Sequence, residues 1–71
     1  MLVVSQNKKT VANLRNILYF QVESDSICMY FEETEYEWAG EYEDSKRAKD
    51  VLQELWSAYA NGEKVFIMPE K

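Results

Sequence analysis

The last third of the chain contains the most regular spacing of apolar positions. They recur every three or four residues, as on one face of a helix, and they are Ala48, Val51, Leu52, Leu55, Trp56 and Tyr59. Asp44 can cap the first exposed amides, and Gly62 can end the helix in the left-handed conformation. The pattern therefore predicts one amphipathic helix over residues 45–61, whose wide apolar face needs a sheet to cover.

Before this helix, short runs of strand-forming residues alternate with polar turn segments. A last short run follows the helix and is stopped by Pro69, which cannot donate to a strand ladder. The predicted strands cover residues 1–5, 10–13, 17–23, 27–33, 36–42 and 64–68. Turns of two to four residues favour an antiparallel meander. We therefore predict a single α+β domain over 1–71: an antiparallel meander sheet of about five strands, one C-terminal amphipathic helix and a short final edge strand, for which the first strand is a candidate neighbour.

Alternation within the strands predicts which side chains face the helix. The expected sets are Leu18, Phe20 and Val22 in one strand and Ile27, Met29 and Phe31 in the next. Tyr36, Trp38, Gly40 and Tyr42 alternate with Glu37, Ala39 and Glu41. Gly40 is a candidate β-bulge, which would move Tyr42 to the opposite face.

Composition narrows the possible chemistry. The chain contains one cysteine and no histidine, so it has no Cys–His or Ser–His pair, no internal disulfide and no zinc site of the usual kinds. We expect Cys28 to be a buried, reduced thiol. We also expect no enzyme activity, no metal site and no cofactor. No signal peptide or membrane-length apolar run is evident, which favours a cytoplasmic protein.

The net charge of −5 is concentrated in the middle of the chain. Residues 1–22 carry +3, residues 23–44 carry −9, and residues 45–71 carry +1. The acidic segment is also the most aromatic, and ten aromatic residues are more than one small core can hide. Exposed Tyr and Trp are typical of protein interfaces. The predicted partner-binding residues are Glu32, Glu33, Glu35, Glu37, Trp38, Glu41 and Trp56.

Three segments carry a resemblance to a known group. They are Val4-Ser5-Gln6-Asn7-Lys8, Asn13-Leu14-Arg15-Asn16, and Gly40-Glu41-Tyr42 followed by Arg47-Ala48-Lys49-Asp50-Val51-Leu52. In this order they resemble short uncharacterised proteins of Gram-positive bacteria, their phages and mobile elements. The resemblance implies a strand-rich domain closed by one helix and a cytoplasmic setting in host or phage. It implies no activity.

These observations favour a non-catalytic protein-binding module. The sharper hypothesis is a phage or mobile-element protein whose acidic, aromatic surface imitates nucleic acid and inhibits a host nucleic-acid-binding defence enzyme. The plainer interpretation of the same acids is a solvated sheet face with charged edges that prevent aggregation. A small-ligand sponge for a nucleotide signal and a purely structural homodimeric accessory protein remain alternatives. We expect a protein partner, with a homodimer left open, and neither direct nucleic-acid binding nor a membrane partner.

Overall fold

The computed structural model describes residues 1–71 and has the predicted order of elements. The strands are β1 (Leu2–Val4), β2 (Val11–Asn13), β3 (Tyr19–Glu23), β4 (Ser26–Tyr30), β5 (Tyr36–Glu41) and β6 (Val65–Ile67), with a 3₁₀ turn at Leu14–Asn16 and helix α1 at Ser45–Ala60. The protein therefore belongs to the α+β class, with one helix that follows most of the strands.

The strands form two three-stranded sheets, and the predicted five-strand meander is present only in part. One sheet has the order β2-β1-β6 and the other the order β3-β4-β5. β1 pairs antiparallel with β2 and parallel with β6, so the last strand does lie at an edge beside the first. The division occurs at the 3₁₀ turn, where the Asn13 side chain accepts a hydrogen bond from the Arg15 amide at 3.1 Å. This turn redirects the chain, so β3 begins a new sheet instead of pairing with β2.

Both ends of α1 are fixed by the residues that the sequence indicates. The Asp44 carboxylate accepts a hydrogen bond from the Arg47 amide at 2.8 Å, which satisfies one of the free amides of the first turn. At the other end Gly62 adopts a φ of 77°. The amides of Gly62 and Glu63 donate back to the carbonyls of Tyr59 and Ala58, both at 3.0 Å, which is the Schellman arrangement.

The inner faces of both sheets and one face of α1 share a single apolar core. Its buried members are Val3, Ala12, Ile27, Met29, Ala39, Tyr42, Ala48, Val51, Leu55 and Met68. Phe20, Val22 and Phe31 pack against this core, as the strand alternation predicts. Leu18 is an exception, because it precedes β3 and is 59% exposed. Strand β4 also ends at Tyr30 rather than at the predicted residue 33. The chain turns there, and the backbone N–H groups of Phe31 and Glu32 donate to the Glu35 carbonyl.

A bulge in β5 changes which side chains reach the core. Ile27 pairs with Gly40 while Cys28 pairs with Trp38, so Ala39 is the extra residue. The bulge moves Tyr42 into the core, where it is only 5% exposed, while Trp38 stays on the outer face. The Tyr42 ring then lies over Gly40, where an added Cβ would sit 2.6 Å from the tyrosine oxygen. The bulge lies immediately before Gly40 and moves Tyr42 to the opposite face, as the sequence predicts.

The Gln6 side chain joins the two sheets and the C-terminal segment. Its Oε1 accepts from the Glu41 amide at 2.8 Å, and its Nε2 donates to the Glu41 carbonyl at 2.9 Å. The same Nε2 also lies 3.1 and 3.0 Å from the carbonyl oxygens of Pro69 and Glu70. The amide thus pairs with the end of β5 as a backbone group would and holds the C-terminal segment against it.

Candidate functional site

Four aromatic side chains form a continuous row on the outer face of the β3-β4-β5 sheet. Tyr19 pairs with Tyr30 across β3 and β4, and Tyr30 pairs with Tyr36 across β4 and β5. Their ring centroids are 4.6 Å and 5.2 Å apart, at interplanar angles of 21° and 33°. Trp38 meets Tyr36 edge-on at 5.9 Å. We call these four residues the aromatic face.

The row exists because two-residue alternation places every second residue of three adjacent strands on the same side. On the side opposite the helix, each of the three strands contributes a tyrosine to the rung that they share. Tyr36 is 48% exposed and Trp38 is 54% exposed. Tyr19 stacks on Tyr30, and Tyr36 is tilted against Tyr30, so an approaching molecule meets the edge of the central ring rather than its flat face.

Tyr30 is held in place by a short hydrogen bond. Its hydroxyl donates to the Glu23 carboxylate at 2.6 Å, and this bond, with some desolvation and the carboxylate charge, raises the pKa of Tyr30 to about 12. Cys28 lies on the same side of the sheet, midway between the rungs of Tyr30 and Glu23. Its side chain is fully buried although it faces the outer side of the sheet. Burial, followed by the nearby Glu23 carboxylate, raises the pKa of the Cys28 thiol to about 11. Cys28 is thus a buried free thiol, as expected.

The predicted acidic residues lie mainly around one end and one edge of the aromatic face. Glu32, Glu33 and Glu35 are exposed in the β4–β5 loop, next to the rung of the three tyrosines. Glu41 is exposed on the outer face of β5, the edge strand beyond Tyr30. Glu37 is also exposed on β5, but it pairs with the core residue Met29 and therefore lies on the side of the sheet opposite the aromatic face. We call Glu32, Glu33, Glu35 and Glu41 the acidic rim. None of them is engaged in a salt bridge.

Trp56, the seventh predicted contact residue, lies elsewhere. It is 56% exposed on α1, and α1 packs against the inner face of the β3-β4-β5 sheet, where Ile27 and Met29 are buried. Trp38 is on the outer face of that sheet. The structure therefore does not bring the two tryptophans together on one surface.

A second apolar surface was not anticipated from the sequence. On the outer face of the β2-β1-β6 sheet, Val11, Val4 and Ile67 form one cross-strand row, and Leu2 and Val65 form another with Asn13. Leu2, Val11, Val65 and Ile67 are 41%, 59%, 47% and 55% exposed. We call Leu2, Val4, Val11, Val65 and Ile67 the aliphatic face. The sequence does contain a signal for this face, namely the uninterrupted apolar runs 2–4 and 65–67. Strands without polar alternation are typical of sheets that are covered on both sides.

The largest concavity is an open cleft of about 490 Å³ between the start of α1 and the C-terminal residues. Three of the residues that line it are acids, Glu41, Glu43 and Glu70, against two bases, Arg47 and Lys71. The Arg47 guanidinium is already bonded to Glu54 at 2.8 Å and to the Lys71 carbonyl. A cleft with this charge disfavours an anionic ligand such as a nucleotide.

Comparisons with known proteins give no relative: no protein-family model, curated protein or solved structure matches this chain. No helix in the structure combines the length and the apolar character needed to cross a membrane. No group of three or more potential metal-ligating side chains is present. The chain's own surfaces are therefore the basis for a functional proposal.

Proposed function

We propose that the protein is a non-catalytic protein-binding module whose contact surface is the aromatic face with its acidic rim. The observation that carries the proposal is the exposed row of three tyrosines and one tryptophan across the outer face of one sheet. Tyr and Trp supply large contact areas with few rotatable bonds, and they are the residues most enriched at energetically important interface positions.

The acidic rim specifies the chemistry of the partner. Four glutamates without a salt bridge border the aromatic face. They favour a partner with a basic surface, because complementary charge steers association and excludes partners of the wrong sign. Enzymes that bind nucleic acid present such surfaces. Together with the resemblance of three segments to phage and mobile-element proteins, this favours inhibition of a host nucleic-acid-binding defence enzyme.

Direct binding of nucleic acid is less well supported. Single-stranded nucleic acids stack their bases on open aromatic faces, whereas the Tyr30 ring here lies between those of Tyr19 and Tyr36, at centroid distances of 4.6 and 5.2 Å. The neighbouring carboxylates would also repel phosphate groups. The edges and hydroxyl groups that remain accessible are better suited to a protein surface.

The experiment that tests the proposal combines charge reversal with a salt series. The immobilised chain is incubated with the phosphocellulose-retained fraction of a Gram-positive bacterial lysate, which is enriched in basic nucleic-acid-binding proteins. We expect specific capture that falls at least tenfold between about 50 and 200 mM salt. The triple variant Glu33→Lys, Glu35→Lys and Glu41→Lys should lose the captured protein at every salt concentration.

A matched variant controls for the change in net charge. Asp50→Lys, Glu63→Lys and Glu70→Lys shift the net charge equally, but these residues lie outside the acidic rim, and the only salt bridges lost are exposed ones that contribute little to stability. This control should capture the same protein, with a weaker salt dependence. If both triple variants behave alike, or if the rim variant still captures the protein, the proposed surface is wrong.

A further inference from the structure

The aliphatic face is an ordered apolar surface without a covering element. Five branched aliphatic side chains occupy five of the six outward positions of a three-stranded sheet, and the sixth is Asn13. Four of them are between 41% and 59% exposed. The inner positions of the same strands, Val3, Ala12 and Phe66, already contribute to the core. The strands are thus apolar on both sides, whereas the domain covers only one.

Sheets with this pattern are normally buried on both faces. The central strand β1 and the edge strand β6 are apolar at every position, and strands that read as continuous apolar runs are typical of sheets covered on both faces. A second sheet with the same kind of surface can cover these Val, Ile and Leu side chains. Two sheets pack face to face at about 10 Å, with their side chains interdigitated.

The charges of the molecule indicate which molecule provides that cover. No outward position of the three strands carries a charged side chain, whereas the chain has a net charge of −5. Two copies can therefore approach through their aliphatic faces without opposing carboxylates. An approach through the aromatic faces would bring two acidic rims together. We propose that the aliphatic face binds a second copy of this chain in an isologous, two-fold symmetric dimer.

The size of the surface sets the expected strength. Two rungs of a three-stranded sheet form an interface smaller than the standard one of about 800 Å² per partner. We therefore expect a dissociation constant on the order of micromolar. The aliphatic and aromatic faces belong to different sheets, so the dimer would leave both aromatic faces uncovered. It would then present two partner sites, and avidity would raise its apparent affinity for a dimeric partner.

Sedimentation equilibrium of the full chain from about 1 to 500 μM tests the proposal. The wild-type chain should change from monomer to dimer in this range. The variant Val11→Thr with Ile67→Thr keeps β-branched side chains at both exposed positions and should weaken association at least tenfold, and Ile67→Lys should abolish it. Tyr36→Lys, at a similarly exposed position on the aromatic face, should dimerise at least as well as the wild type.

The wild-type chain also provides a test that needs no variant. In methyl NMR spectra, the signals of Leu2, Val11, Val65 and Ile67 should shift with concentration, while those of the buried Leu55 should not. A chain that is monomeric at all these concentrations contradicts the proposal. So does a dimer that the lysine at position 67 leaves intact, or one that Tyr36→Lys dissociates.

Discussion

Gly40 and Tyr42 form a two-residue unit on which the local structure of β5 depends. A Cβ at position 40 would approach the Tyr42 oxygen to 2.6 Å and two ring carbons to 2.9 Å. The ring has little freedom to move away, because Tyr42 is buried and its hydroxyl donates to the Pro69 carbonyl at 2.9 Å. Burial also raises the pKa of Tyr42 to about 12, despite the nearby Arg47 cation.

The substitution Gly40→Ala should therefore destabilise the fold. We expect a loss of about 2 kcal/mol in the free energy of unfolding, since an extra methyl group in a close-packed site displaces its neighbours. Urea denaturation followed by circular dichroism measures it. A double-mutant cycle with Tyr42→Leu identifies the cause, because removal of the ring should recover more than half of the loss.

Gly62 provides the comparison for this cycle. It adopts a φ of 77° and has open space at its Cβ position, so Gly62→Ala should cost about 1 kcal/mol through backbone conformation alone. Tyr42→Leu should leave that cost unchanged. Equal rescue of both glycine variants by Tyr42→Leu would show that the contact between Gly40 and Tyr42 is not the reason for the first loss.

At the level of elements, Gln6 supplies hydrogen bonds that link the two sheets. Gln6 pairs with both backbone groups of Glu41 and reaches the carbonyls of Pro69 and Glu70. The backbone N–H of Gln6 also donates to the Ala39 carbonyl at 2.8 Å. The end of β1, the bulge of β5 and the C-terminal segment are therefore held together at this residue.

Replacement of Gln6 should lower stability by an amount that depends on pH. Gln6→Ala should cost about 1–3 kcal/mol for the lost hydrogen bonds. Gln6→Glu should cost more near pH 7, where an ionised carboxylate replaces the donor that faces three carbonyl oxygens. The folded state then favours the protonated carboxyl, so the extra loss should shrink as pH falls towards 4 and the group becomes a donor again.

The matched control is Gln53, which is exposed on α1. Gln53→Glu should change the free energy of unfolding by no more than about 0.5 kcal/mol at either pH. Thermal unfolding of the three variants at pH 7 and pH 4 makes the comparison. A cost for Gln6→Glu that does not exceed that of Gln53→Glu would show that the Gln6 bonds do not stabilise the junction.

The elements themselves were largely predictable, whereas their assembly was not. The ends of α1 follow from local signals, Asp44 and Gly62, that act within one or two turns. Whether β3 continues the first sheet or begins another depends on the short turn at Leu14–Asn16, and the turn residues alone predict only a change of direction. The bulge was predictable because Gly40 interrupts an alternating run. The exposure of Leu18 was not, because it depends on where β3 begins.

For the candidate site, the residue types were predictable from the sequence, but their arrangement was not. Trp38 and the glutamates follow from the acidic, aromatic composition of residues 23–44. The row that they border depends on the register of three strands, which aligns Tyr19, Tyr30 and Tyr36. Trp56 was grouped with Trp38 because exposed tryptophans are typical of protein interfaces, whereas the sheet separates the two side chains.

The whole molecule has two exposed faces of different chemistry around one core. The aromatic face combines hydroxyl groups with a border of carboxylates, and the aliphatic face is uncharged. We assign the first to a basic protein partner and the second to a copy of the chain. The two tryptophans suit a test of this assignment, because Trp38 lies on the aromatic face and Trp56 lies on α1.

The most direct measurement is ¹⁹F NMR of the chain labelled with 5-fluorotryptophan, titrated with the captured partner. Trp38→Phe and Trp56→Phe assign the two resonances. We predict that the partner shifts or broadens the Trp38 resonance and leaves that of Trp56 unchanged. A Trp38 resonance that stays in place while the complex forms would contradict binding through the aromatic face.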